Sequence, residues 1–169
     1  MTKGQGLVEE TLQAWTYTRE GVIAEFGNIP GLQFAFRPME KSRTVADLAQ
    51  HIIESGLMAA GELSRADGNF QRQAYPAFIA EYAGRRAHVR TKEHLMDLLR
   101  ATHDENIARL RAAGEARLLG PIVQFNGEPA TRLTWLNHAI AHEEYHRGQV
   151  ALYARLLGHV PALTQLIEG

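Results

Sequence analysis

The stretch whose reading decides the fold runs from His138 to Val150: His138-Ala139-Ile140-Ala141-His142-Glu143-Glu144-Tyr145-His146-Arg147-Gly148-Gln149-Val150. Its three histidines are spaced i, i+4 and i+8, so on an α-helix each is turned only about 40° from the last and all three line one side. The chain has eight histidines in 169 residues. At that frequency chance gives on the order of 0.4 pairs of this spacing, so a single pair would carry little information and two overlapping pairs carry more. An imidazole face set among core residues would leave ring nitrogens unpaired. A metal ion satisfies one nitrogen on each ring and leaves the other for a nearby acceptor. Two neighbouring histidines of this helix can grip one ion, and a catalytic zinc, nickel or iron site wants about three protein ligands and an open position. His51 is the natural third candidate, because it lies inside a predicted helix among Leu48, Ile52 and Ile53.

Working outward, Thr131 caps the helix that carries this stretch, and Leu133, Leu136, Ile140, Val150, Leu152 and Leu156 continue it to Gly158, with Pro161 blocking further turns. A first helix follows the apolar residues from Leu7 to Phe26 and ends at Gly27, Asn28 and Pro30. After a linker, Thr44 can cap a second helix from Val45 to Arg65, with Asp47 in its first turn where a carboxylate favours the helix dipole. Thr91 opens a third, closed by Ala113 and Gly114, and residues 76–84 form a short extra helix with proline in its first turn. Residues 115–130 read as a connector, not a sheet, with at most a short extended piece at Ile122–Phe125. Four helices of about 20 residues or more, with few strands, predict an all-α four-helix bundle. Links of about 17, 25 and 17 residues exclude a simple up-down arrangement with tight turns. The length fits a single domain, residues 1–169.

The net charge is -1, from 18 basic against 19 acidic side chains, with no long run of either sign. This argues against nucleic acid and against an anionic membrane as partners. There is no cysteine, which removes disulfides and thiolate ligands and leaves histidine and carboxylates to bind any metal. The N-terminal residues lack a signal-peptide core, and no window approaches about 18 uninterrupted apolar residues, so the expectation is a soluble, cytoplasmic protein without a membrane span.

Residues 142–146 also match H-E-x-x-H, in which two histidines hold zinc and the Glu is the general base of a metalloprotease. Such enzymes draw a further ligand from downstream, where Glu168 is the sole acidic residue, and no strand is expected that could pair with an extended peptide. This reading is therefore a remote alternative. His88, His94, His103 and His159 are expected at the surface. Gly148, in a helix interior, needs a reason such as close approach of a neighbouring helix or a dimer partner. Arg147 could pair with a carboxylate of the first or second helix, for example Glu54.

The run His138 to Val150, followed by Leu156-Leu157-Gly158-His159-Val160-Pro161, resembles the fourth-helix signature of the DinB-like superfamily of bacterial four-helix proteins. Upstream, Phe36-Arg37-Pro38 leads through Thr44-Val45-Ala46-Asp47-Leu48 to His51, as a proline-containing linker leads to one metal-binding histidine in that family. The layout is similar over nearly the whole chain, although the sharp motif is only His146-Arg147-Gly148-Gln149 and its two histidines. The resemblance implies metal ligands at His51, His142 and His146, an up-down-down-up bundle with a long link between its second and third helices, and a homodimer. His138 is not a usual ligand in that family and is expected to line the cavity or contact a substrate.

Three neutral imidazoles leave a bound divalent ion its full charge, able to acidify water or to polarise a thiol or carbonyl. The expected function is a metal-dependent enzyme acting as a Lewis acid on a small molecule between the second and fourth helices. Relatives of the family resemble thiol-dependent S-transferases and hydrolases, so a low-molecular-weight thiol is one candidate substrate. The alternative is a non-catalytic metal-binding stress-response protein. Zinc or nickel is the expected metal, with iron also compatible with the donor set.

Overall fold

Thr44 and Asp47 begin the second helix with a reciprocal cap: the Asp47 N–H donates to Thr44 Oγ1 at 3.0 Å, and the Thr44 N–H donates to the Asp47 carboxylate at 3.2 Å. The same device, a threonine accepting from the backbone three residues on, starts two other long helices at Thr91 and Thr131. In the computed structural model, which describes residues 6–84 and 90–169, the helices are α1 (Leu7–Asn28), α2 (Val45–Ser64), α3 (Tyr75–Ala83), α4 (Lys92–Ala113), α5 (Glu115–Leu118), α6 (Arg132–Leu156) and α7 (Ala162–Glu168). A short hairpin pairs β1 (Pro121–Val123) antiparallel with β2 (Pro129–Thr131), Ile122 opposite Ala130.

The long helices α1, α2, α4 and α6 form the bundle, and their side-chain contacts fix its directions. Along α1 and α6, Trp15 and Arg19 meet Glu143 and Gly21 meets Arg147, so these two helices run parallel. Along α2 and α6, His51 meets His142, whereas Leu63 meets Arg132, so these run antiparallel. Thr16 meets His103 while Glu9 meets Arg111, so α1 and α4 are antiparallel. The order is up-down-down-up. A parallel α2–α4 pair requires the chain to travel back along the bundle, about 30 Å for a 20-residue helix, and the long link of residues 65–91 does this. It is anchored by Glu62, fully buried, which accepts from the Asn69 N–H at 2.7 Å, the Tyr82 hydroxyl at 2.8 Å and the Arg72 guanidinium.

Two apolar clusters fill the bundle. One gathers Val22, Phe26, Leu48, Ile52, Leu95, Leu99 and Val150; the other gathers Leu12, Trp15, Leu63, Phe70, Phe78, Leu110 and Leu136.

Three expectations need correction. Residues 121–131 do form a small sheet, because Gly127, at φ +87°, turns the chain tightly enough for Gln124 and Glu128 to bond and the flanking strands to pair. The C-terminal residues form α7, whose first N–H groups, of Ala162 and Leu163, donate to the buried Glu25 carboxylate of α1 at 2.9 and 3.1 Å. Of the two reasons expected for Gly148, close approach of a neighbouring helix is not found among the described residues: a Cβ there would meet no atom within 4 Å, whereas a Cβ at Gly21 would lie 2.5 Å from the Arg147 guanidinium carbon. Among the described residues no helix is long and apolar enough to cross a membrane.

Candidate metal centre

His51 projects from the first half of α2, and His142 and His146 from successive turns of the antiparallel α6. Their rings converge: His142 Nε2 stands 3.2 Å from His51 Nε2 and 3.1 Å from His146 Nε2. Nitrogens tetrahedrally bound to one ion at about 2.0–2.1 Å would stand about 3.3 Å apart, so the cluster has the spacing of a shared ligand set. Among the described residues the group of potential ligands drawn together here has three members, with ligating atoms within 4.8 Å of one another.

The rings are in the form a cation needs. His146 Nδ1 meets Gln149 Oε1 at 2.6 Å, an arrangement in which the ring donates from Nδ1 and keeps the Nε2 lone pair for the cluster. Burial pushes His51 down to about 3 and His142 to about 4, with the Arg43 guanidinium and the neighbouring imidazoles adding to the effect, and burial lowers His146 as well. All three are neutral at physiological pH.

Directly behind the cluster, Glu143 turns away from it into the bundle. Its carboxylate is 1% exposed and accepts from Trp15 Nε1 at 2.8 Å and from Arg19 Nε at 2.8 Å, with Arg19 Nη2 closing a bidentate pair. Arg19 also donates to the Leu99 carbonyl at 2.8 Å. Gly56 on α2 makes room for this group, since a Cβ there would lie 3.1 Å from Arg19 Nη2 and 3.2 Å from Asn106 Nδ2. Both oxygens of this carboxylate are engaged, one by Trp15 and Arg19 and the other by Arg19. A carboxylate committed to an ion pair is a poor general base, which weighs against the H-E-x-x-H reading.

The other histidines divide. His138 is exposed at the entrance, its ring centroid 4.9 Å from that of Trp135, and does not join the cluster. His94 is exposed, as expected, and His88 lies outside the described residues. His103 is not at the surface: it is 5% exposed, edge-on to Trp15 at 5.4 Å and bonded through Nε2 to Thr16 Oγ1 at 3.0 Å. Its acidic sequence neighbours are misleading, because helical phase groups it with Leu99, Thr102 and Asn106 on the inner face of α4. His159 is half-buried and bonds Gln33 Oε1 at 2.6 Å. Arg147 pairs with Glu144 of its own helix at 3.3 Å, not with Glu54. Sequence reasoning passed over Arg19, although an arginine one turn from both Trp15 and Val22 in the α1 apolar stripe was a visible sign of a buried charge.

Beside the cluster, in the groove between α2 and α6, a cavity of about 140 Å³ is walled by Phe70, Tyr75, Phe125 and Trp135 and reaches His142. None of these aromatic residues was singled out from the sequence. Phe125 comes from the hairpin turn and Phe70 and Tyr75 from the α2–α4 link, so their meeting depends on tertiary packing alone.

The comparisons agree with this architecture. The sequence profile of the DinB superfamily matches residues 14–150, and the chain belongs to that superfamily. No curated protein matches it. Among solved structures it is similar to a DinB-like protein from Bacillus subtilis (20% identity, TM-score 0.68, covering 89% of this chain and 93% of that one) and to a DinB-like protein from Bacillus cereus (19%, 0.68, 89% and 93%). It is also similar to YfiT from Bacillus subtilis (13%, 0.70, 94% of each chain), a protein described as a probable metal-dependent hydrolase with an unusual four-helix bundle topology.

Proposed function

We propose that this chain is a metal-dependent enzyme in which His51, His142 and His146 hold one divalent cation next to a small-molecule cavity. The observation that carries the reading is the convergence of three neutral imidazoles from two antiparallel helices, with Nε2 separations of 3.1 and 3.2 Å at the edge of an aromatic cavity. Three protein ligands are the complement of a catalytic site that keeps a position for substrate, whereas structural sites are closed by four. The three ligands found among the described residues favour the enzyme over a purely structural, stress-response role for the ion.

Bound there, a divalent ion would supply a Lewis acid able to polarise a carbonyl or to lower the pKa of water or a thiol. The protein's part is to keep the imidazoles unprotonated by burial, to orient His146 through Gln149, and to exclude bulk water with the aromatic wall. Hydrolysis is the leading reaction class, supported by the description of YfiT, and thiol S-transfer is its companion. Zinc or nickel is the metal we expect, and iron is also compatible with imidazole ligands. We also propose a homodimer through the exposed stripe Tyr145, Gly148, Leu152 and Leu156 of α6, whose spacing places them on one face.

The test is elemental analysis of untagged protein purified without a metal column, for the wild type and for His51→Ala, His142→Ala and His146→Ala. Near-stoichiometric metal in the wild type and sharp loss in each variant is expected. A wild type that holds no metal and cannot be loaded sinks the proposal.

A further inference from the structure

The cavity between α2 and α6 has a chemical character that the histidine cluster does not dictate. Its walls are Met58, Ala59, Phe70, Tyr75, Phe125 and Trp135. Phe70 stacks on Phe125 with ring centroids 4.7 Å apart, lies 4.7 Å from Trp135, and Trp135 stands edge-on to Phe125 at 5.5 Å. The volume, about 140 Å³, is close to that of the apolar protein cavity of about 150 Å³ that takes up benzene. Two of the wall residues, Tyr75 and Phe125, are each 40% exposed although they border a hollow lined with apolar groups. The acidic residue in its lining, Glu143, is already paired with Arg19, so that carboxylate is not free for a cationic guest.

We propose that this cavity receives an aryl group of the substrate, a neutral benzene-sized ring whose coordinating donor atom reaches the His51–His142–His146 cluster. The distance suits one molecule. His138 and His142 both line the cavity and stand one turn apart on α6, a rise of about 6 Å, so a ring against Trp135 and His138 and a donor at the cluster are separated by about the length of a two-carbon tether. Ring burial supplies the affinity, edge-to-face contact with Trp135 and Phe125 sets the ring's orientation, and the cluster selects the donor. Phe125 on its hairpin turn acts as a specificity-determining residue, since it closes the outer wall without touching the cluster.

This inference rests on the metal reading for its donor half only, and the experiment separates the two. Cobalt-loaded protein is titrated with 2-phenylethanethiol and with ethanethiol, followed by the visible cobalt spectrum. Metal-free protein is titrated with toluene and with tetramethylammonium by ligand-observed NMR. Each titration is repeated on Phe125→Ala, a change in an exposed turn whose fold is checked by circular dichroism. Expected are at least about tenfold tighter binding of the aryl thiol than of ethanethiol, toluene binding to the metal-free protein, and a loss of about fivefold or more of both in Phe125→Ala with ethanethiol unaffected. Equal affinity of the two thiols for cobalt-loaded protein overturns the aryl assignment and leaves the metal reading standing. If cobalt does not load, the metal reading fails, and toluene then decides the cavity alone: uptake that Phe125→Ala weakens supports the ring site, and no uptake overturns it. Preference for tetramethylammonium over toluene also overturns it, in favour of a cation cage.

Discussion

Replacing Glu143 by alanine should be among the most destabilising single changes available to this fold. The substitution removes the acceptor for Trp15 Nε1 and for two nitrogens of Arg19, and leaves a guanidinium that is 1% exposed with the Leu99 carbonyl as its remaining hydrogen-bond partner. Breaking one side of such a buried pair costs about 3–5 kcal/mol, because the remaining charge is left uncompensated. Against a total stability of about 5–15 kcal/mol, that lowers the melting temperature by roughly 6–20 °C for a chain of this size. The assay is urea unfolding of metal-free protein followed by circular dichroism, with the slope checked for constancy. The double variant Arg19→Met/Glu143→Leu removes both charges and should recover most of the loss, giving a coupling energy of several kcal/mol in a cycle closed by the singles Arg19→Met and Glu143→Leu. A loss below about 1 kcal/mol in Glu143→Ala, or a double variant as unstable as the sum of the singles, would refute the assignment of Glu143 to a buried ion pair. Glu143→Gln supplies the chemical counterpart: its metal content should match the wild type, since Glu143 is not among the three grouped ligands and its carboxylate is engaged by Trp15 and Arg19. Loss of activity by 100-fold or more on a substrate, with stability unchanged, would return Glu143 to the role of general base.

Four further outcomes are expected. His103 is held near 4 by burial, below the ordinary 6.5 of the unfolded chain, so the unfolded state binds the extra proton between those values and stability falls as pH drops through that window. From pH 7 to pH 5 the wild type should lose about 2 kcal/mol on this account, and His103→Gln should lose correspondingly less when both are unfolded in urea at the two pH values. A divalent cation at about 100 times its dissociation constant should raise stability by about 2.7 kcal/mol, and the increment should vanish in His51→Ala; thermal melts with and without added zinc decide this. Gly56→Ala should destabilise by about 1–3 kcal/mol, because its Cβ would press on Arg19 and Asn106. Gly148→Ala, with open space around it in the single chain, should raise helix stability by about 0.5–1 kcal/mol while weakening self-association in sedimentation, if α6 is the dimer face.

Local signals in the sequence marked the helix boundaries and the histidine pairing. Capping at Thr44, Thr91 and Thr131 acts within three residues, and the termination at Gly114, with φ +83°, needs only one. The i, i+4 spacing that brings His142 Nε2 to 3.1 Å from His146 Nε2 is likewise a property of one helix. Where a neighbourhood was judged from adjacent residues, the reading failed: His103 beside Asp104 and Glu105 is buried.

What the sequence determined by itself was four amphipathic helices, the length of the link that makes α2 and α4 parallel, and an imidazole face on α6. Only the tertiary structure decided which partners those elements meet. The hairpin of residues 121–131 was not legible because three-residue strands have too few side chains to display a period, and their pairing is stabilised by the bundle they rest on. Helix α7 takes its N-terminal acceptor from Glu25, some 137 residues away. Glu143 takes its ionic partner from across the bundle, and the aromatic cavity draws its walls from the α2–α4 link, the hairpin and α6. These are contacts between residues far apart in sequence, formed because burial of a charge or a ring is favourable only when the opposing surface is already in place, and no local pattern in the chain specifies that surface.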